Sequence, residues 1–522
     1  MRAEPAPISP PPARSDGLST PHAALVLLIV ALVARWQTFG NPVIGFDEQF
    51  YLLVGDRLLQ GAVPYVDLFD RKPIGLFLIY AAIRSVGGDG FLAYKIAALL
   101  VVVTTATGVF LLARRRMGAG PWGALAAATL YSLWLDFMEG EGGQSPVFYN
   151  LVMVAAAAVT LAAIRDPAQV GRRGAGAMLL VGVALQIKYS VLLEGIFFGC
   201  ALIVAGWRAG RRGPALALSM ALWIGCALLP TALAMLAYAA IGRFDAFWFA
   251  NIVSVLAQGR AGFATQLTGL ATIIGILSPL VAALLFVPRA PQADAALRRD
   301  RGFVIGWLIA SCLGVILFWR FASPHYALPI LVPLTIALAP ALEGARRRRI
   351  AALALGGVAL VGGQVVLALS ERAKGGAAAA HAVAAAARGP GCIYVYDGYP
   401  ALYMLTRSCV PTRYAFPGSL NTADEADPRA LGVDPAREVA RIMATHPVAV
   451  IDDYPRFSGG NPATRAVLAR ALAADYRLAA CIATGPHRVR LVYRRKDDSP
   501  RRPVGSCPTA ALLAAASAAL PG

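Results

Sequence analysis

The sequence predicts an α-helical polytopic membrane protein of about eleven spans, followed by a small C-terminal α/β domain on the outward side. Three observations carry this reading. Of 522 residues, 58% are hydrophobic and 15% charged, whereas a soluble domain carries about 25% charge and about 45–50% apolar residues. The excess stands in long blocks such as HAALVLLIVALVARW and AALLVVVTTATGVFLLA, which read as spans, each needing about 20 apolar residues. After residue 371 the blocks give way to β-branched and aromatic runs alternating with helical ones.

Residues 1–21 are polar and Pro-rich and read as a disordered cytoplasmic tail. The first apolar block starts near His22. It is longer than a signal-peptide core and no small-residue cleavage site clearly follows, so it reads as a retained span. Basic runs mark the cytoplasmic side: Arg114–Arg116, Arg172–Arg173, Arg208 with Arg211–Arg212, Arg298–Arg301 around Asp300, and Arg346–Arg349. Spans between them fall at 22–40, 91–113, 120–136, 145–165, 176–188, 190–206, 214–241, 265–287, 302–320, 326–342 and 350–370. Residues 73–88 are apolar but short, and making them a span would turn Arg114–Arg116 outward. They are placed as a helix at the outer surface. Residues 176–206 have basic residues at both ends and form a tight hairpin with Lys188 near its outer tip.

This scheme makes 22–370 the membrane domain and sends residues 41–90, 137–144, 242–264 and 321–325 outward. The acids gather on that side: Asp47, Glu48, Asp56, Asp67, Asp70, Glu139, Glu141 and Asp245. Residues 371–500 form the α/β domain. Its strands are GCIYVYD, PVAVIDD, YRLAACIAT and HRVRLVYRR, and its helices ALYMLTR, PAREVARIMAT and PATRAVLARALAA. Residues 501–522 are a low-complexity tail.

The net charge of +19 would suggest a nucleic-acid partner in a soluble protein. Here the basic residues sit between apolar blocks and set topology, so no nucleic-acid partner is expected. Seven cysteines make no metal-ligand spacing. Cys200, Cys226 and Cys312 lie in apolar blocks and read as packing residues. Cys392, Cys409, Cys481 and Cys507 fall in the outward region, where a disulfide is compatible with an oxidising compartment and the pairing is open. No nucleotide fingerprint, HExxH, CxxC or Ser-His-Asp pattern is present.

The first outer loop, NPVIGFDEQFYLLVGDRLLQGAVPYVDLFDRKPIGLFLIY, is the most informative piece. An acid pair, Asp47-Glu48, follows the first span. A helix-like segment with Tyr51 comes next, then PYVDLFDRKP, with an aromatic, two acids and two bases before a proline. The loop resembles that of the GT-C superfamily of membrane glycosyltransferases. It is most similar to bacterial relatives of the dolichyl-phosphate-mannose protein mannosyltransferases and of the lipid A aminoarabinose transferase. The matching residues are Asp47-Glu48, Tyr51, Gly61, Pro64-Tyr65, Asp67, Asp70 and Lys72-Pro73. Ile74 departs from the second proline usual there.

The resemblance implies a polyprenyl-phosphate sugar donor and direct displacement with inversion. The acceptor would be a lipid, a polysaccharide or a protein on the periplasmic side of a bacterial inner membrane. It gives Asp47 the role of base, since a carboxylate within hydrogen-bond reach can take the acceptor's proton. The leaving phosphate needs cations, for which Lys72, Lys188, Arg320 and His325 are candidates, with Tyr326 beside them in WRFASPHYALP. Lys188 interrupts an apolar hairpin, where an ionisable group suggests function; its alternatives are snorkelling or an ion pair with Glu194. Glu139 and Glu141, in a short Gly-rich outer turn, would support catalysis or contact a metal. Tyr51, Tyr65 and Asp70 are further loop candidates. Asp47, Glu48 and Glu141 could hold a divalent cation or act without one. The competing class is a lipid-linked-sugar transporter or flippase, which would show repeated halves and midplane charges. No halves echo each other here, and the acids lie at the surface.

Overall fold

The computed structural model describes residues 18–288, 294–498 and 503–508. The expectations for 1–17, 501–502 and 509–522 lie outside the described residues. Helix α1 (Thr20–Arg35) starts where the Ser19 hydroxyl accepts the His22 amide and Pro21 occupies the first turn. Two short helices follow, α2 (Phe46–Leu59) and α3 (Ile74–Ser85). The bundle continues with α4 (Gly90–Arg116), α5 (Pro121–Trp134), α6 (Ser145–Arg165), α7 (Val170–Leu185), α8 (Leu192–Arg208) and α9 (Gly213–Ala240). Then α10 (Phe244–Trp248) and α11 (Ser254–Ala257), joined by a π-helical turn at Phe249–Val253, pack on the loop after α2. Helices α12 (Phe263–Leu284), α13 (Ala295–Phe318), α14 (Leu328–Leu338) and α15 (Arg346–Lys374) complete the bundle.

Each of the eleven expected spans coincides with one helix. Nine helices among the described residues are long and apolar enough to cross a membrane. The helices at the third and fifth expected spans, α5 and α7, are shorter, at 14 and 16 residues. Residues 73–88 form α3, separate from the spans. Helix α14 is buried along its whole length, at the centre of the bundle.

The basic runs gather at one end. Arg116 and Arg165 both reach the buried Asp300, at 3.6 and 2.5 Å. Arg301 donates to the Met117 carbonyl, Arg114 to the Leu18 carbonyl, and Arg349 lies over the Trp122 ring. Arginines in the last turn also complement the C-terminal dipole of α4.

At the opposite end sits the α/β domain. Helix α16 (Ala377–Ala387) precedes β1 (Ile393–Val395), α17 (Leu402–Thr406), α18 (Gly418–Asn421), α19 (Pro428–Leu431) and α20 (Pro435–Ala444). Strand β2 (Ala449–Tyr454), α21 (Pro462–Asp475), β3 (Tyr476–Gly485) and β4 (Arg488–Arg495) follow. The sheet order is β1-β2-β4-β3; β1 and β2 are parallel (Ile393 beside Ala449) and the other pairs antiparallel (Ile451 beside Val492). Buried Val395, Ile451 and Val492 belong to its core. Disulfides join Cys392 to Cys409 and Cys481 to Cys507. Cys226 and Cys312 pack against the core, but Cys200 is exposed, contrary to its reading as a packing residue, because it lies on the stripe of α8 that also leaves Leu192, Ile196 and Val204 exposed.

The domain is held down on α2. Arg57 donates to the Ser408 carbonyl at 2.7 Å, the Ala401 amide donates to Gln49 at 3.2 Å, and Phe416 packs edge-on against Phe46 and Phe50. Lys374, ending α15, donates to the Ile44 carbonyl at 2.9 Å.

Candidate active site

Asp47 stands in the first turn of α2, where the helix dipole favours an anion. Its Oδ2 accepts two hydrogen bonds, from the Tyr51 hydroxyl one turn on (3.2 Å) and from Gln144 Nε2 at the start of α6 (3.1 Å). No donor among the described residues reaches Oδ1. Burial alone would raise the Asp47 pKa. The charges of Lys72, His325 and Lys188 and the Gln144 bond outweigh it and hold the carboxyl below its ordinary value.

Glu48 turns the other way. Adjacent helix positions point about 100° apart, so Glu48 faces the interior when Asp47 faces the loops. It is 1% exposed. A Cβ on Gly45 or Gly142 would stand 2.6 or 2.9 Å from its carboxylate oxygens, so both glycines are needed to enclose it. Burial, then the charges of Glu141 and Asp47, push its pKa well above the usual range. The neighbours thus diverge, the Asp47 carboxyl held below its ordinary value and the Glu48 carboxyl pushed above it, the pattern that separates roles in a carboxyl pair.

Asp47 opens onto a cavity of about 330 Å³ that also takes in Tyr51, Asp70, Lys72, Arg320, His325 and Tyr326. Lys72 lies 3.7 Å from Asp70 and over the Tyr51 ring at 5.5 Å. Asp70 accepts the backbone amides of Arg71 and Lys72, which shapes this turn. His325 stacks on Tyr326, and its Nδ1 is 2.7 Å from Glu139 Oε2. Glu139 has a left-handed backbone, φ +58°, a conformation sparsely populated outside Gly, Asn and Asp.

The other expected residues lie outside the cavity lining. Lys188 is buried behind it, its ammonium 4.2 Å from the Tyr326 ring centre and without a hydrogen-bond partner among the described residues. It does not pair with Glu194, which instead accepts from Trp307 and Ser311 inside the bundle. Glu141 is buried, with its pKa raised first by burial and opposed by Lys374. Tyr65, at φ +69°, packs among Phe77, Tyr238 and Phe247 and donates to the Lys72 carbonyl at 2.8 Å. Its position supports the loop that presents Lys72.

Among the described residues no group of three or more His, Cys, Asp or Glu side chains is gathered to hold a metal ion.

Sequence reasoning missed one wall. Arg71 makes a two-pronged ion pair with Glu425, at 2.8 and 2.6 Å, and donates to Ser254 at 2.6 Å. Gln258 donates to Glu425 at 2.7 Å and accepts from Arg320 at 2.7 Å. The first loop, the α11 loop, the start of α14 and the C-terminal domain are thereby tied around one space. Arg71 stood in the loop motif, but no local signal in the sequence points to its partner.

No protein-family model and no curated protein sequence matches the chain. Solved structures do. The fold is similar to that of ArnT from Cupriavidus metallidurans bound to undecaprenyl phosphate, at 16% identity, covering 90% of this chain and 97% of that one, with a TM-score of 0.53. The apo structure of the same protein is similar at 15% identity over 91% and 98% of the chains, with a TM-score of 0.55.

Proposed function

We propose that this chain, which has the fold of the GT-C membrane glycosyltransferases, transfers a sugar from a polyprenyl-phosphate donor to an acceptor hydroxyl. The observation that carries this reading is the meeting of an ionised carboxylate, Asp47, with Lys72, Arg320 and His325 around one cavity. The structure similar to this one that was solved with undecaprenyl phosphate supports the donor class.

Asp47 Oδ1 accepts the proton of the acceptor hydroxyl as its oxygen bonds to the anomeric carbon. The bond from that carbon to the phosphate oxygen breaks, and its electron pair leaves with the phosphate. Lys72 and Arg320 oppose the growing charge there, with His325 beside them and Lys188 behind the ring of Tyr326. One displacement inverts the anomeric centre. Tyr51 and Gln144 hold Asp47 in place through Oδ2. The acceptor is a lipid, a polysaccharide or a protein.

The site faces the periplasm in this reading, across a bacterial inner membrane. Two features support it: the basic runs lie at the far end of the bundle, and the domain beside the site carries two disulfides.

Asp47→Asn tests the assignment. In vesicles supplied with polyprenyl-phosphate sugar, the variant is expected to bind donor but not transfer sugar. Full transfer by this variant removes Asp47 as the base. Wild-type protein that moves the lipid-linked sugar across the vesicle without transferring it would favour a flippase.

A further inference from the structure

A second cavity, of about 980 Å³, opens between α1, α5 and α15 at the basic end of the bundle. Its lining is aliphatic over most of its length, with Val26, Leu125 and Leu353 among its walls, and among the described residues its charged side chains are Glu343 and Arg349. We propose that it holds an anionic glycerophospholipid, with the acyl chains in the cavity and the headgroup phosphate on Arg349.

The shape has a structural cause. Near the opposite end, α1 and α15 are tied by Gln364, which meets Gln37 at 2.7 Å and donates to the Ala34 carbonyl at 2.6 Å. Below that tie the two helices part around the cavity. Gly356 and Gly357 border it on α15, and a Cβ at either would meet nothing within 4 Å. Apolar walls that no side chain of the described residues fills suit a chain of methylenes.

The charge pattern selects the headgroup. Glu343 is engaged, accepting the Gly123 amide at 2.7 Å. Arg349 stands as far as 3.8 Å from Glu343, has a side chain 46% exposed, and lies over Trp122, which also lines the cavity. Arg346, Arg347 and Arg348 are exposed next to it. A guanidinium beside an apolar slot fits a phosphate ester on a diacyl lipid. On the function proposed above, the donor's own phosphate lies with Lys72 and Arg320 at the other end, so a phosphate on Arg349 belongs to a different lipid. Such a lipid wedges α1 against α15, the helices that lead into Asp47 and into the C-terminal domain.

Native mass spectrometry of the full chain, incubated with equal amounts of phosphatidylglycerol and phosphatidylcholine, tests the assignment. Wild-type protein is expected to retain phosphatidylglycerol about fivefold over phosphatidylcholine, the preference expected of one arginine near an anionic lipid. Arg349→Gln should remove that preference. Gly357→Leu should lower retention of both lipids by filling the slot, while the protein remains monodisperse. Arg172→Gln, exposed at the same end but away from the cavity, should behave as wild type. Equal loss with Arg172→Gln reduces the effect to general surface charge and overturns the site. So does unchanged retention in Gly357→Leu, or displacement of phosphatidylglycerol by added undecaprenyl phosphate.

Discussion

Arg71 and Glu425, 354 residues apart in the chain, meet in a two-pronged ion pair in the wall of the Asp47 cavity. Their side chains are 13% and 8% exposed. Removing one partner of a buried pair costs about 3–5 kcal/mol, because the other charge is left unpaired. Arg71→Met is therefore expected to loosen residues 416–431 without unfolding the bundle. Hydrogen exchange should rise in that segment and stay unchanged in α14. The double variant Arg71→Met with Glu425→Leu should recover much of the protection. Unaltered exchange in the single variant would show that other contacts hold the wall.

The Asp47 charge is set by a contest between burial and its cations, with Lys72 first among them. Removing Lys72 lets burial act more fully, so the Asp47 pKa rises. The fraction ionised at mildly acidic pH then falls. At saturating donor, Lys72→Met is expected to move the acidic limb of kcat to higher pH, and Lys72→Arg to leave it in place. A pH–rate profile reads this directly; coincident limbs in wild type and Lys72→Met would mean that Lys72 does not govern the base.

Glu48 makes the opposite case. Its folded pKa lies above the ordinary value of 4.5, first by burial and then by the Glu141 and Asp47 charges. Between 4.5 and that raised value the folded protein binds more protons than the unfolded chain, so stability falls as pH rises through this window. Glu48→Gln keeps the shape and removes the titration. It is expected to raise Tm at neutral pH and to flatten the decline with pH. An equal or lower Tm at neutral pH would mean that the ionised carboxylate is stabilising there.

Two disulfides leave three free cysteines, Cys200, Cys226 and Cys312, of the seven in the chain. Protein isolated from cells and denatured without reductant is expected to take up three maleimides, and seven after reduction. Seven before reduction would argue against a C-terminal domain exposed to an oxidising compartment.

Much of the fold was legible because its signals are local. Apolar blocks between basic runs mark the eleven helices that coincide with the expected spans, and α3 follows from the conflict it would create with Arg114–Arg116. The four strands were visible as β-branched runs. Helix α16 was not, since AAAAHAVAAAA has too little periodicity to assign. In the site, Asp47, Lys72 and His325 could be named from loop sequence and topology. The inward turn of Glu48 depends on where the helix begins, and burial of Tyr65 on helices far along the chain. Glu425, Gln258 and the other residues of the wall carry no local pattern, because their meaning arises only from the partners they reach.

The pairing of Arg71 with Glu425 also sets an order of events during synthesis. A nascent chain acquires Asp47, Lys72 and their supporting tyrosine within its first loop. It lacks the wall around them until the C-terminal domain has emerged and folded onto α2. A stalled or clipped polypeptide would expose the carboxylate and cations in an open trough rather than a closed cavity. Docking of the last domain is thus what closes the cavity.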